Sequence, residues 1–136
     1  MRIMLDTNVL VSMFLFPSDN MDRLKRSLCE NRQILICSYV VDEIKDVVAR
    51  KFPKRKNDLD EFFRTLPFVF VYTPECFAPA DFPNIRDISD LPVLVSAVSE
   101  DVDLLITGDK DFGGVKIERP KILTPAAYLA NWCESS

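Results

Sequence analysis

Short apolar runs alternate with longer amphipathic stretches along this chain of 136 residues, and that alternation limits the folds it can adopt. Apolar and β-branched runs predict strands at residues 2–5, 34–37, 68–72, 103–106 and 121–123. Amphipathic spacing predicts helices at residues 21–29, 39–51, 57–66 and 91–99, the second of them capped by Ser38. Strands that are apolar on both faces and alternate with helices are typical of a parallel sheet covered by helices. The sequence therefore predicts an α/β fold with a central parallel sheet of four to five strands.

The length suits a single domain, which we expect to span residues 1–136. The longest apolar stretch, residues 9–16, is too short to cross a bilayer core of about 30 Å, and Asp6 stands where the apolar region of a signal peptide would lie. The four cysteines form no C-x-x-C pair; they are Cys29, Cys37, Cys76 and Cys133. We therefore expect reduced thiols, a cytoplasmic location and no membrane partner.

The chain contains no histidine, and this absence restricts the chemistry it can perform. A Ser-His-Asp triad, a Cys-His pair and a histidine-based zinc site are all excluded. Any catalysis has to use carboxylates, lysines, hydroxyls, thiols or a metal ion.

Acidic side chains stand at the carboxyl ends of the predicted strands, the edge where ligands bind in parallel α/β sheets. An aspartate ends the first strand, and a glutamate lies in the first turns of the helix after the second strand. A second aspartate opens the helix before the fourth strand, and a third follows that strand. In chain order these residues are Asp6, Glu43, Asp90 and Asp109. Asp87 and Asp111 stand nearby as secondary candidates.

Each of these acids also has a purely structural interpretation. Asp-Thr-Asn after a strand is a good helix cap, and Gly-Asp at residues 108–109 resembles a plain turn. Ser38 with Glu43 and Ser89 with Asp90 resemble ordinary helix starts. Four carboxylates at one sheet edge would, however, repel one another and raise each other's pKa, a cost that capping does not require. A divalent cation removes that cost, and oxygen ligands without Cys or His favour Mg²⁺ or Mn²⁺.

The charge balance agrees with a site of this kind. The chain has 17 Lys and Arg against 21 Asp and Glu, so its net charge of −4 equals the charge of the four proposed ligands. One or two bound ions could activate water and stabilise in-line displacement at a phosphodiester. They would also supply positive charge where a phosphate must sit, so an acidic protein could still act on a polyanion.

Five segments of the chain have a familiar order: DTNVLVS at residues 6–12, the helix start at 38–43, RDISD at 86–90, TGDKDF at 107–112 and ILTP at 122–125. Together they resemble the PIN domain family, and within it the prokaryotic branch of VapC-like toxins from toxin-antitoxin systems. The resemblance covers nearly the whole chain. It implies a three-layer α/β/α fold with a central parallel sheet, and an endoribonuclease that cleaves RNA with Mg²⁺ or Mn²⁺.

The resemblance also implies a role for individual residues. The family's acidic tetrad, which holds the metal and carries the catalysis, falls on Asp6, Glu43, Asp90 and Asp109. Residues that would orient these carboxylates or bound water are Thr7, Asn8, Thr107, Asp87 and Asp111. One departure is the pair Ile88 and Ser89, where the branch often has a proline and a further acid.

Two cations lie near the tetrad in sequence. Arg86 and Lys110 are predicted to contact the phosphates of an RNA substrate. The resemblance further implies two kinds of protein partner, a cognate antitoxin and a second copy of the chain in a homodimer.

Two other interpretations stay open at this point. The segments at residues 6–9 and 108–109 also resemble motifs of haloacid-dehalogenase-type phosphatases, but that chemistry needs an aspartate at Asn8 as general acid and gives Glu43 no task. Alternatively, the domain is non-catalytic and binds RNA or a partner protein, with its acids acting as helix caps.

Overall fold

The computed structural model describes residues 1–132. Its strands are β1 (Arg2–Leu5), β2 (Gln33–Cys37), β3 (Phe68–Val71), β4 (Leu104–Ile106) and β5 (Lys121–Leu123). They form one sheet in the order β3-β2-β1-β4-β5, and every neighbouring pair is parallel. The predicted α/β fold with a central parallel sheet is confirmed.

Helices flank this sheet. They are α1 (Thr7–Leu15), α2 (Asp19–Asn31), α3 (Ser38–Lys51), α4 (Lys56–Thr65), α5 (Leu91–Ser99) and α6 (Pro125–Asn131). All the predicted strands and helices are present, with ends that differ by one or two residues, as is usual for element boundaries.

The sequence did not predict α1 or α6. Helix α1 is apolar on nearly all sides and packs against α2 and α3, so its sequence lacks the amphipathic period that identifies a surface helix. Helix α6 is short and begins at Pro125, and the preceding Thr124 caps it by accepting a hydrogen bond from the Ala127 N–H at 3.1 Å.

Ser38 does not cap α3, so that prediction was wrong. The helix begins at Ser38 itself, and the residue before it, Cys37, makes no side-chain capping bond. The Ser38 hydroxyl instead accepts a hydrogen bond from the Thr73 N–H at 3.0 Å. This bond ties the start of α3 to the chain that follows β3.

The core is built on the three central strands. Ile3, Met4 and Leu5 of β1 are fully buried, and Met4 is paired with Leu35 of β2 on one side and Leu105 of β4 on the other. A strand covered on both faces needs apolar residues at consecutive positions, which is why these runs do not alternate with polar residues.

Two further expectations concern the thiols and the membrane. Cys29, Cys37 and Cys76 are free thiols, whereas Cys133 lies outside the described residues. Across residues 1–132, no helix combines the length and the apolarity that crossing a bilayer would require.

Leu105→Ala is expected to lower the free energy of unfolding by about 2–5 kcal/mol, because it opens a cavity in the fully buried centre of β4. Urea unfolding followed by circular dichroism measures this loss. The control Lys45→Ala, at an exposed position of α3, should change stability by less than about 0.5 kcal/mol. A loss at Leu105 no larger than that of the control would contradict the described packing.

Candidate functional site

The sheet order places a crevice between the carboxyl ends of β1 and β4. Successive strands run from β1 through β2 to β3 on one side, and the chain then returns to place β4 and β5 on the other side of β1. Ligands in open α/β sheets bind where the strand order reverses in this way. Asp6 follows β1 and Thr107 follows β4, so both residues lie at this point.

Asp6 is held in place by its backbone and its side chain. Its N–H donates to the Ile106 carbonyl at 3.0 Å, which continues the pairing of β1 with β4. One carboxylate oxygen accepts from the Thr7 N–H at 2.7 Å and so caps α1, and the other accepts from the Thr107 hydroxyl at 2.7 Å. Only 4% of the residue is exposed. The two hydrogen bonds fix the orientation of its carboxylate.

Burial raises the pKa of Asp6 above its ordinary value, and the charges of Glu43 and Asp109 raise it further. The hydrogen bonds from Thr107 and Thr7 oppose this shift because they stabilise the charged form. Glu43 lies half-buried in the second turn of α3, near enough to act on Asp6 electrostatically.

The turn after β4 is fixed by its own Thr107 side chain and by the Asn8 side chain of α1. The Thr107 hydroxyl, which donates to Asp6, also accepts from the Asp109 N–H at 3.0 Å. The Asn8 side-chain oxygen accepts from the Gly108 N–H at 3.0 Å. Asp109 in turn accepts from the Asp111 N–H at 2.9 Å, which starts a short 3₁₀ turn, Lys110–Phe112. These bonds couple Asp6 to Asp109 through one hydroxyl group.

Asp90 stands in an unfavourable environment for a charge. It ends the 3₁₀ turn Ile88–Asp90 and precedes α5, and one of its carboxylate oxygens is buried without a hydrogen-bond partner. Burial, together with the neighbouring carboxyl of Asp109, raises the pKa of Asp90 to about 7. Asp6 and Asp87 add to the repulsion. A buried carboxylate oxygen without a partner is unfavourable, and a proton or a bound cation would stabilise it.

The two secondary candidates lie beside Asp90. One oxygen from each of Asp87, Asp90 and Asp111 lies within 4.8 Å of the other two. Asp87 is exposed, and a hydrogen bond from the Ser89 N–H at 3.0 Å lowers its pKa. Arg86 Nε lies 3.6 Å from an Asp111 oxygen, and 78% of the Arg86 side chain is exposed. Asp90 therefore belongs to two groups of acids, one with Asp6 and Asp109 and one with Asp87 and Asp111.

The remaining candidates differ in their surroundings. The Thr7 hydroxyl is buried and has no hydrogen-bond partner, so its side chain has a free polar group in the crevice region. Lys110 is exposed and forms no ion pair within the described part of the chain.

Sequence reasoning missed Tyr39. Its hydroxyl donates to the Ser89 carbonyl at 2.9 Å and so connects α3 to the turn that holds Asp90. Burial raises the pKa of Tyr39, and Glu43, Asp90 and Asp6 raise it further, so the phenol lies among the acids. The partners are 50 residues apart, and no sequence pattern signals such a contact.

A second set of hydrogen bonds supports Tyr39 from behind. The Tyr39 N–H donates to the Thr73 hydroxyl oxygen at 3.2 Å, and the hydroxyl groups of Thr73 and the buried Ser96 are hydrogen-bonded to each other at 2.9 Å. With the bond between Thr73 and Ser38, these contacts join α3, α5 and the chain after β3. They fix the position of α3, which carries Glu43, relative to α5, which follows Asp90.

The donor atoms of the site fit a hard divalent cation. All the candidate ligands are carboxylates with hydroxyl and amide oxygens around them, and neither histidine nor cysteine is among them. The unpartnered Asp90 oxygen and the raised pKa values of Asp6 and Asp90 are both relieved by a bound positive charge. Oxygen ligands of this kind suit Mg²⁺ or Mn²⁺.

A family model described as PIN domain matches residues 2–111. The chain belongs to the PIN domain family. The matched segment runs from β1 to Asp111 and so contains every acid of the site. No curated protein matches this PIN domain chain.

Three solved structures share the PIN fold of this chain. A FitAcB structure from Neisseria gonorrhoeae is 20% identical, covers 91% of this chain and 98% of its own, and has a TM-score of 0.67. VapBC2 from Rickettsia felis, bound to a DNA fragment from its promoter, is 19% identical over 90% and 97% of the two chains, with a TM-score of 0.66. VapC20 from Mycobacterium tuberculosis, described as a Sarcin-Ricin loop cleaving toxin, is 11% identical over 84% and 96%, with a TM-score of 0.57. The TM-scores, over most of each chain, show a common fold.

Asp90→Asn is expected to stabilise the metal-free protein at pH 8 and to lose that advantage towards pH 4. The pKa of Asp90 is raised, so between its ordinary value of 3.8 and about 7 the unfolded chain releases a proton that the folded chain retains. The wild-type protein therefore loses stability as pH rises through this window, and the variant avoids that loss.

Urea unfolding from pH 4 to pH 8 in the presence of a chelator measures this difference. Asp42→Asn, at an exposed position of α3, is the control and should follow the wild-type profile. Parallel curves for wild type and Asp90→Asn across the whole range would contradict the described environment of Asp90.

Proposed function

We propose that the chain is a metal-dependent endoribonuclease that hydrolyses RNA phosphodiester bonds. The observation that carries the proposal is the convergence of carboxylates at the strand-order reversal, with an Asp90 oxygen buried and unpartnered. Hydrogen bonds hold Asp6 and Asp109 close together although their negative charges repel one another. A helix cap needs one carboxylate, whereas a metal site needs several.

In this proposal Asp6, Glu43, Asp90 and Asp109 hold Mg²⁺ or Mn²⁺. Bound there, the metal supplies the Lewis acidity that makes water nucleophilic at neutral pH and stabilises charge on the phosphodiester. The protein supplies the orientation, because Thr107 fixes Asp6 and Asp109 while Tyr39 fixes the turn before Asp90. Arg86 and Lys110, both exposed at the edge of the acids, would contact substrate phosphates.

The biological role that we propose is that of a toxin in a toxin-antitoxin pair. This proposal is supported by the similarity to VapBC2, FitAcB and VapC20, two of which are named as complexes and one as a cleaving toxin. A cognate antitoxin and a second copy of the chain are the proposed protein partners, RNA is the proposed substrate, and the cytoplasm is the proposed location.

The phosphatase alternative is weakened by the surroundings of Asn8. Its amide oxygen is committed to the Gly108 N–H, and an amide cannot donate and recover a proton as a general acid. Nothing in that mechanism would require Glu43 to face Asp6.

Asp6→Asn is expected to abolish cleavage and leave the fold intact. An asparagine oxygen can still accept from the Thr7 N–H and cap α1, but the site loses a negative ligand. Loss of a group that supports a metal ligand costs about 10–100-fold, and loss of a ligand should cost at least about 100-fold. Cleavage of a fluorescently labelled single-stranded RNA with Mn²⁺ measures activity, and the melting temperature with and without Mn²⁺ measures binding.

Asp60→Asn, at an exposed position of α4, is the matched control and should retain full activity. An active Asp6→Asn protein would contradict the metal assignment. If Mn²⁺ neither raises the melting temperature of the wild-type protein nor supports RNA cleavage, the non-catalytic interpretation replaces the nuclease. Glu43→Gln separates the nuclease from the phosphatase, since only the nuclease should lose activity.

A further inference from the structure

A cleft of about 570 Å³ opens beside the acids, on the side of the edge strand β5. Its walls come from the end of β4, from the chain between residues 108 and 117, and from β5 with the Thr124 that follows it. The volume lies within the range of about 300–1,000 Å³ that is usual for sites binding small molecules.

The cleft is continuous with the acidic site. Thr107 and Asp109 line it, and both belong to the hydrogen-bonded group that contains Asp6. A polymer whose reacting phosphodiester lies against the acids must continue to both sides of them. On the side of β5, the cleft is the space that lies next to the acids.

The cleft wall is mixed in character. Apolar surface is supplied by Val115, Ile117 and Ile122, which are half-buried, and by Phe112, which is 2% exposed and anchored in the core. Covering such a surface with a flat aromatic group is favourable, because apolar area on both is removed from water. Gly108 lines the same cleft and has no side chain, so a ligand can approach its backbone closely.

Two lysines complement this apolar wall. Lys110 and Lys121 both line the cleft, and both are exposed. Neither forms an ion pair with any of residues 1–132, although Lys121 Nζ lies 5.5 Å from the centre of the Trp132 ring. Lysines without an ion pair, beside an apolar wall, match a ligand that combines a flat ring with an anion.

We propose that this cleft binds the nucleotide next to the cleaved bond of the RNA substrate. The base covers the apolar wall, and Lys110 and Lys121 contact its phosphate. The proposal rests on the proposed nuclease function and deepens it, because the cleft then sets which base is accepted beside the cleavage point. An acidic peptide segment is the competing occupant, but its acidic side chains offer no flat ring that would cover the apolar wall.

The test is a titration of the isotope-labelled full-length protein with each of the four nucleoside 5′-monophosphates in Mg²⁺, followed by NMR. At least one nucleotide should give saturable shifts of the Gly108, Gly113 and Lys121 amides. Ile117→Trp, which fills the cleft, should weaken that binding at least tenfold. Lys121→Ala, at an exposed position that tolerates substitution, should weaken it about three- to tenfold.

Lys54→Ala, an exposed lysine in the turn before α4, is the matched control and should bind as the wild type does. Shifts that avoid these three amides, or equal affinity in all variants, would overturn the proposal. If a glutamate-rich decapeptide shifts the same amides and the nucleotides do not, the cleft docks a protein and the proposal is wrong.

Failure of the cleft and failure of the nuclease are distinguishable in parallel assays. If the wild-type protein cleaves RNA but nucleotides do not shift the amides of the cleft, only the cleft assignment is wrong. Absence of Mn²⁺-dependent RNA cleavage removes the proposed function and, with it, the role of the cleft.

Discussion

Asp6 follows the central strand of the sheet, where burial disfavours its charge and two hydrogen bonds favour it. The backbone of Asp6 completes the pairing of β1 with β4, so the position of its carboxylate is set by the sheet itself. The Thr107 hydroxyl, which donates to Asp6, also accepts from the Asp109 N–H and so fixes the position of Asp109 relative to Asp6. The other acids gather around a carboxylate that cannot move away, and their mutual repulsion is the cost that a bound cation would offset.

Much of this arrangement could be predicted from the sequence. Runs such as Ile3 to Leu5 are apolar at consecutive positions because both faces of a central strand are covered, and that pattern can be recognised in the sequence alone. Residues that follow parallel strands must meet at one sheet edge, so the neighbourhood of Asp6 and Thr107 follows from chain order and topology. Glu43 and Asp90 could be chosen on the same grounds, because one lies in the first turns of the helix after β2 and the other directly precedes the helix before β4. The family resemblance gave the same four acids a common role.

The parts that could not be predicted depend on side-chain contacts between distant segments. Helix α1 is buried on nearly all sides and carries no amphipathic signal. Ser38 suits a helix cap, yet its hydroxyl accepts from Thr73, 35 residues away, and Tyr39 reaches Ser89 in the same way. The closeness of Asp87 to Asp111, and the cleft beside β5, depend on irregular chain whose path has no simple sequence pattern.

The central claim is that one cation site is formed by acids from separate elements of the fold. Anomalous diffraction at the manganese edge, from a crystal of the full chain soaked in Mn²⁺, tests this claim directly. The expected result is a manganese peak bonded to carboxylate oxygens of Asp6 and of Asp90 or Asp109. A peak bound only by Asp87 and Asp111, or no peak at the carboxylates at saturating Mn²⁺, would contradict it.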